Sequence, residues 1–151
     1  TYRLLGKHHH VWKKNKTIAV KEDFLEKEPM MIIGIIVHEV GHCIDHLEKI
    51  SFSPEWKRIS KWETCNIDER VPKGFKRYIE KRKGREIAGP KKSNWVYKEG
   101  SDFCRKYSSR NPREDFADSF AFGVFGAWDR FKGEGGEKKM AVIKKLLQII
   151  D

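Results

Sequence analysis

The sequence lacks the features that mark several common classes of protein. Its three cysteines, Cys43, Cys65 and Cys104, are odd in number and have no CxxC spacing, so neither a disulfide framework nor a structural zinc knuckle is indicated. No internal repeat and no signal peptide is visible. The apolar run from Met30 to Val37 has eight residues, whereas a helix that crosses a bilayer needs roughly 20. We therefore expect no membrane partner, and we interpret this run as a helix buried inside a soluble domain.

The composition indicates one globular domain. The 151 residues are 38% hydrophobic and include five Trp, nine Phe and four Tyr, which is enough for a sizeable core. We predict a single domain spanning residues 1–151. The chain opens on Thr1 rather than Met, which is compatible with a trimmed chain and with a domain of a longer phage or bacterial protein, and the sequence does not distinguish the two. Its compartment and oligomeric state are not indicated.

Basic residues are in excess, and they are unevenly distributed. The formal net charge is +10, and the stretch 73–92 alone contains nine Lys or Arg against two Glu. This stretch lies in a predicted basic insertion at about 61–93, which mixes Gly, Pro and charged residues without a clear period. Such charge runs are more often solvated surfaces than recognition sites. We expect a polypeptide substrate, which the basic excess allows to be acidic, and nucleic acid is a less favoured partner.

Chemistry enters where the apolar run ends, at His38-Glu39-Val40-Gly41-His42. On a helix, residues four apart share one face, about 6 Å apart along the axis, so the two imidazoles can converge on one metal ion. The carboxylate of Glu39 can then reach a water on the metal, as in zinc hydrolases. Glycine is costly inside a helix, so Gly41 predicts a close approach by another backbone.

Two histidines do not complete a catalytic zinc site, which needs a third protein ligand and an open position for water. A third histidine six residues after His42 would indicate a metzincin, but that position is Glu48. His46 lies on the same helix face one turn further along. Three ligands on one straight helix cannot converge on a tetrahedral ion, so we rank His46 below a ligand from elsewhere.

The preferred third ligand is Glu114, within a segment that runs from Asn111 to Phe120. Asp118 falls one helical turn later on the same face, where it can orient a ligand imidazole. In the alternative interpretation, Asn111 caps a helix and Glu114 only closes a capping box. The presence of His38-Glu39-x-x-His42 in the same chain favours the metal-ligand interpretation.

These motifs together resemble a known family. His38-Glu39-Val-Gly-His42-x-x-Asp45, followed by Tyr107 and then by Glu114 seven residues later, is similar to the gluzincin metallopeptidases of the anthrax lethal factor and pro-pro endopeptidase type. The resemblance covers about residues 16–125. It implies zinc on the two histidines and Glu114, Glu39 as the base, and Tyr107 as a group that stabilises the transition state.

The departure from this family is the length of the insertion between His42 and Glu114, which prevents any transfer of substrate preference. A weaker resemblance, carried by Glu-x-x-Ala-Asp-x-Phe-Ala from Glu114 onward, is to the repressor-cleaving peptidases of mobile elements. It implies the same ligands but not the tyrosine. In either case Asp118, and less strongly Asp45, would orient ligand side chains without binding the metal itself.

The predicted fold is α+β, a mainly helical zincin-like domain with a small β-sheet packed on the HExxH helix. Short strands are expected within Tyr2–Leu5, His8–Trp12 and Lys16–Val20, with another at Trp95–Tyr97. The remaining helices are predicted from Ser53-Pro54, from a turn over 102–107 capped by Ser101, from Asn111-Pro112 to about Arg130, and over Glu137–Ile150, the last with its lysines in water. Phe116, Phe120, Val124 and Ala127 should form the apolar stripe of the third of these.

The leading functional prediction is a zinc-dependent endopeptidase with one Zn²⁺ per chain. Other divalent ions would fit the same ligands. The alternative is a zinc-stabilised basic module that binds nucleic acid or an acidic partner and has little or no hydrolytic activity. Glu39 argues against this alternative, because a purely structural metal site needs no base.

Overall fold

The computed structural model describes residues 11–12, 17–18, 28–80 and 91–148, and its architecture is α+β. Before Glu28 the described residues form two short strands. The other residues of that region, which include the predicted strand Tyr2–Leu5, lie outside the described ranges. The helices and strands are β1 Val11–Trp12, β2 Thr17–Ile18, α1 Pro29–Glu48, α2 Pro54–Ser60, β3 Glu63–Thr64, β4 Phe75–Glu80, β5 Lys91–Lys98, α3 Pro112–Val124 and α4 Gly133–Leu146. Short 3-10 helices occur at Ile50–Phe52, Lys106–Arg110 and Trp128–Arg130.

The HExxH helix, α1, begins at Pro29 and ends at Lys49, whose left-handed backbone lets its N–H bond to the carbonyl of Asp45. The prediction that its apolar run is buried was wrong. More than a third of the surface of Met30, Met31, Ile33 and Ile36 is exposed. The buried positions lie in the second half of the helix, which carries the polar motif.

By length and composition α1 as a whole would be able to cross a membrane, and 17% of the apolar window that meets this criterion is buried. The eight-residue apolar run from Met30 to Val37, taken alone, was too short to indicate a membrane-crossing helix. The contacts that the second half of α1 makes with α3 favour a helix within a folded domain.

The close approach predicted at Gly41 is confirmed. A Cβ atom on Gly41 would lie 3.1 Å from Cα and 3.2 Å from O of Ala117 in α3, tighter than ordinary van der Waals contact. The missing side chain therefore lets the two helix backbones meet. His38 lies opposite Asp118 and His42 lies opposite Glu114, so α1 and α3 run antiparallel along this contact.

Two antiparallel sheets accompany the helices in the described part of the chain. β1 pairs with β2, with Val11 opposite Ile18, and both strands contact α1, in agreement with the predicted sheet against this helix. The larger sheet has the order β3-β5-β4. It comes largely from the stretch predicted as an irregular insertion, and it packs against the 3-10 helix Lys106–Arg110.

Helix starts were predicted better than helix ends. Ser53 caps α2 by accepting from the N–H of Trp56 at 3.1 Å, as expected. The helix predicted to reach Arg130 ends at Val124, and Val124 itself is 44% exposed, so the last part of the proposed apolar stripe was wrong. The turn predicted over 102–107 is replaced by the 3-10 helix that begins at Lys106.

The core joins α2, α3 and α4 around a buried ion pair. Trp56, Phe116 and Ile143 are fully buried in it. Lys139 of α4, 1% exposed, donates to Asp115 at 2.8 Å, which contradicts the prediction that every lysine of this helix faces water. Breaking such a pair from one side costs about 3–5 kcal/mol, so this contact fixes the first turn of α3, where Glu114 lies.

Candidate metal centre

The first turn of α3 is compatible with both interpretations of Glu114 that the sequence left open. Asn111 caps the helix, and its Oδ1 accepts from the backbone N–H of Glu114 at 3.0 Å. The carboxylate of Glu114 points across to α1, where its Oε2 lies 3.1 Å from Nε2 of His38 and 3.2 Å from Nε2 of His42. The cap therefore fixes the backbone of Glu114 while its side chain meets the two histidines.

These three side chains form a cluster that can hold a metal ion. Their ligand atoms all lie within 4.8 Å of one another, and all three residues are partly or fully buried. Metal–ligand bonds of 2.0–2.2 Å in tetrahedral geometry place neighbouring ligand atoms about 3.3–3.6 Å apart. The distances of 3.1 and 3.2 Å are slightly shorter than this spacing.

His38 lies between two carboxylates. Its Nδ1 is 2.8 Å from Oδ1 of Asp118 without meeting hydrogen-bond geometry, while its Nε2 faces Glu114. A neutral imidazole has one donor and one acceptor, so it cannot satisfy a carboxylate on each side. A second proton or a metal ion resolves this conflict. With a metal, Nδ1–H donates to Asp118 and the Nε2 lone pair is free to be a ligand.

Asp118 is itself held by two groups that the sequence analysis missed. Arg105 donates to both of its oxygens, at 2.8 and 2.5 Å, and Ser108 Oγ donates to Oδ2 at 2.8 Å. Burial acts to raise the pKa of Asp118, but hydrogen bonds from His38 and Arg105 outweigh it and hold the pKa below its ordinary value. Asp118 is therefore a fixed carboxylate that orients the imidazole of His38.

Tyr107 lies beside the cluster, with its ring centroid 6.4 Å from that of His38. Burial and the charge of Glu114 raise the pKa of Tyr107 to about 12. Its hydroxyl therefore stays protonated at neutral pH and is available as a hydrogen-bond donor. The ring also contacts Tyr78 of β4 at 6.3 Å, so the sheet from the basic region borders the site.

The remaining predicted site residues fall in three different environments. Glu39 is 7% exposed and takes part in no hydrogen bond or ion pair within the described ranges. His46 is exposed and does not join the cluster. Asp45 is buried, but its oxygens accept from the N–H and Oγ of Ser51 at 2.7 and 2.6 Å. We therefore assign Asp45 to the turn after α1 rather than to the support of the ligands.

Comparisons of the chain with models of protein families, with curated proteins and with solved structures find no match. A functional assignment therefore depends on the geometry of the site and on the motifs that this chain contains.

The protonation of His38 predicts how the metal-free protein responds to pH. Burial alone would lower the pKa of His38, but Asp118 and Glu114 raise it from 6.5 to about 9. Because the folded pKa is raised, this stabilisation is complete below pH 6.5 and is lost as the pH rises towards 9. The pKa of Glu114 is lowered from 4.5, so its contribution is present above that pH and is lost in acid.

We therefore expect the melting temperature of chelator-treated protein to fall between pH 6.5 and 9. With metal added, the stabilisation should instead grow with pH, since His38 must release its proton to become a ligand. Thermal melts across this range, with and without zinc, make the measurement, and His38→Gln removes the titrating group. A metal-free melting temperature that is constant over this range would contradict the assignment.

Proposed function

We propose that the protein is a zinc-dependent endopeptidase with a zincin-like fold of the gluzincin type. The supporting observation is the convergence of His38, His42 and Glu114, with a fixed carboxylate behind His38. Two imidazole nitrogens and one carboxylate oxygen are a common ligand set of catalytic zinc, and they leave a coordination position open.

Each side chain at the site then has a defined task. His38, His42 and Glu114 would hold the zinc ion, which when bound would lower the pKa of a water to about 7 and polarise a carbonyl group. Glu39 accepts the proton of the attacking water as the C–O bond forms at the peptide carbonyl. Its carboxylic acid then returns this proton to the leaving amine as the C–N bond breaks. The absence of an ion pair to Glu39 in the described structure leaves its oxygens free for both transfers.

Tyr107 is the proposed donor to the developing oxyanion. Its raised pKa keeps the O–H intact, and its ring centroid lies 6.4 Å from that of His38. A donor that reaches the oxyanion stabilises the transition state more than the ground state, which is the requirement for catalysis.

The substrate that we propose is a polypeptide with acidic residues near the cleaved bond. The 3-10 helix that carries Tyr107, the residue before it and the first turn of α3 also present four basic side chains. Arg105, Lys106 and Arg113 are exposed, with Arg105 bound to Asp118, and Arg110 is partly exposed. Positive charge on this surface attracts an acidic segment, so substrate binding should weaken with salt.

The test of the proposed function is metal removal and restoration. The chain should cleave members of a peptide library enriched in acidic sequences, a chelator should abolish cleavage, and stoichiometric zinc should restore it. Addition of Mg²⁺, which prefers oxygen ligands in octahedral geometry, is the matched control and should restore nothing. Zinc binding with no cleavage, together with salt-sensitive binding of nucleic acid, would instead favour the basic binding module.

A further inference from the structure

Two guanidinium groups contact the ring of Tyr107. The Cζ atoms of Arg105 and Arg110 lie 5.3 and 5.5 Å from the centroid of its ring. Both distances are within the range of cation–π contacts. Arg105 also forms an ion pair with Asp118, the carboxylate that supports His38, and this ion pair fixes its position. Arg110 contacts Tyr107 in a second way.

Arg110 also forms a hydrogen bond with the hydroxyl group of Tyr107. Its Nη1 donates to the hydroxyl oxygen of Tyr107 at 2.6 Å. Guanidinium groups are donors only, so in this contact the phenol oxygen must be the acceptor. The single O–H proton of Tyr107 is then directed away from Arg110. Tyr107 also lies close enough to Glu114, a member of the metal cluster, for that carboxylate to raise its pKa.

We propose that Arg110 is a positioning residue that fixes the direction of the Tyr107 hydroxyl, so that its proton points towards the open side of the cluster. By occupying a lone pair of the phenol oxygen, Arg110 leaves the O–H to donate to a substrate oxyanion. This inference rests on the proposed peptidase function and assigns Arg110 a part in it.

The basic region takes part in this arrangement through the sheet. Ser93 of β5 donates from its Oγ to the backbone carbonyl of Arg110 at 2.5 Å, and Tyr78 of β4 packs on the ring of Tyr107. β4 and β5 both contact the 3-10 helix that carries Tyr107 and Arg110. The sheet therefore supports the tyrosine and its partner.

The first test observes Tyr107 directly and does not need activity. Protein labelled with ¹³C at the ζ carbon of tyrosine is compared by NMR with Arg110→Gln, and the Tyr107→Phe spectrum identifies the Tyr107 signal. We expect this signal to shift in Arg110→Gln and to stay in place in Lys106→Gln, which removes one charge from the same 3-10 helix. A Tyr107 signal unchanged by Arg110→Gln would overturn the proposal.

The second test separates positioning from a general effect on the fold. Arg110→Gln should lower kcat roughly 10- to 100-fold with little change in KM, the range seen when a group that orients a functional side chain is lost. Arg110→Lys, which keeps a donor, should restore part of this loss. In the Tyr107→Phe background, Arg110→Gln should cost almost nothing further, because the hydroxyl it orients is already absent.

The two tests also distinguish the failure of this proposal from the failure of the proposed function. An equal loss from Arg110→Gln in wild type and in Tyr107→Phe would mean that Arg110 acts independently of the hydroxyl, which would overturn the proposal. A wild-type chain that binds zinc but cleaves no peptide would refute the peptidase function. It would also refute the role of Arg110 in catalysis, while a shifted NMR signal would still establish the contact.

Discussion

Glu39→Gln is expected to abolish peptide cleavage and to leave the metal content unchanged. Glutamine has nearly the same shape as glutamate, but its amide cannot accept the proton of the attacking water. General base catalysis contributes roughly 10²- to 10⁴-fold, so a loss of this size is expected in kcat. Glu39 makes no ion pair in the described structure, so the substitution breaks no charge contact there. The ligand distances should therefore be preserved.

The measurement is kcat/KM on a cleaved peptide, together with zinc content by elemental analysis. Glu48→Gln is the matched control, because Glu48 is an exposed glutamate at the end of the same helix. It should retain full activity. Cleavage by Glu39→Gln at the wild-type rate would show that Glu39 is not the base.

Glu114→Ala should produce the largest loss of metal binding. Without Glu114 only His38 and His42 remain, both on one helix, and two ligands hold zinc far less tightly than three. The loss of affinity should exceed the roughly 10- to 100-fold cost of removing a group that merely supports a ligand. α3 should remain folded, because Asn111 accepts from the backbone N–H of residue 114, which alanine also provides.

Competition with a chromophoric chelator measures this affinity, and circular dichroism checks the helices. His46→Ala is the control, since His46 is exposed and does not belong to the cluster. It should bind zinc as the wild type does. Wild-type affinity in Glu114→Ala would leave Glu114 as a residue of the helix N-terminus and would favour a different third ligand.

The parts of the site that local patterns encode were predictable from the sequence. The i, i+4 spacing of His38 and His42 and the cost of Gly41 follow from helix geometry alone. Asn111-Pro112 indicated the start of α3, and that start determines where Glu114 falls. The motif and the helix start each depend only on residues that are neighbours in the sequence. Two separate local patterns therefore identified the side chains that the structure brings together.

The rest depends on contacts between distant segments. Arg105 and Ser108 lie in a stretch without period, and only the folded chain brings them to Asp118. The predicted strand Trp95–Tyr97 lies within β5 and is confirmed, but the rest of the sheet β3-β5-β4 was missed for a similar reason, since its strands are short or rich in charge. The burial of α1 was predicted from its apolar residues, whereas the structure buries the polar half, where His38 meets its partners.

The central claim is that His38, His42 and Glu114 hold one zinc ion, and anomalous X-ray diffraction tests it most directly. Data from crystals of the full chain, collected above and below the zinc absorption edge, locate zinc independently of any assumed chemistry. We expect one peak per chain, about 2.0–2.2 Å from each of the three ligand atoms. No peak, or a peak that Glu114 does not border, would contradict it.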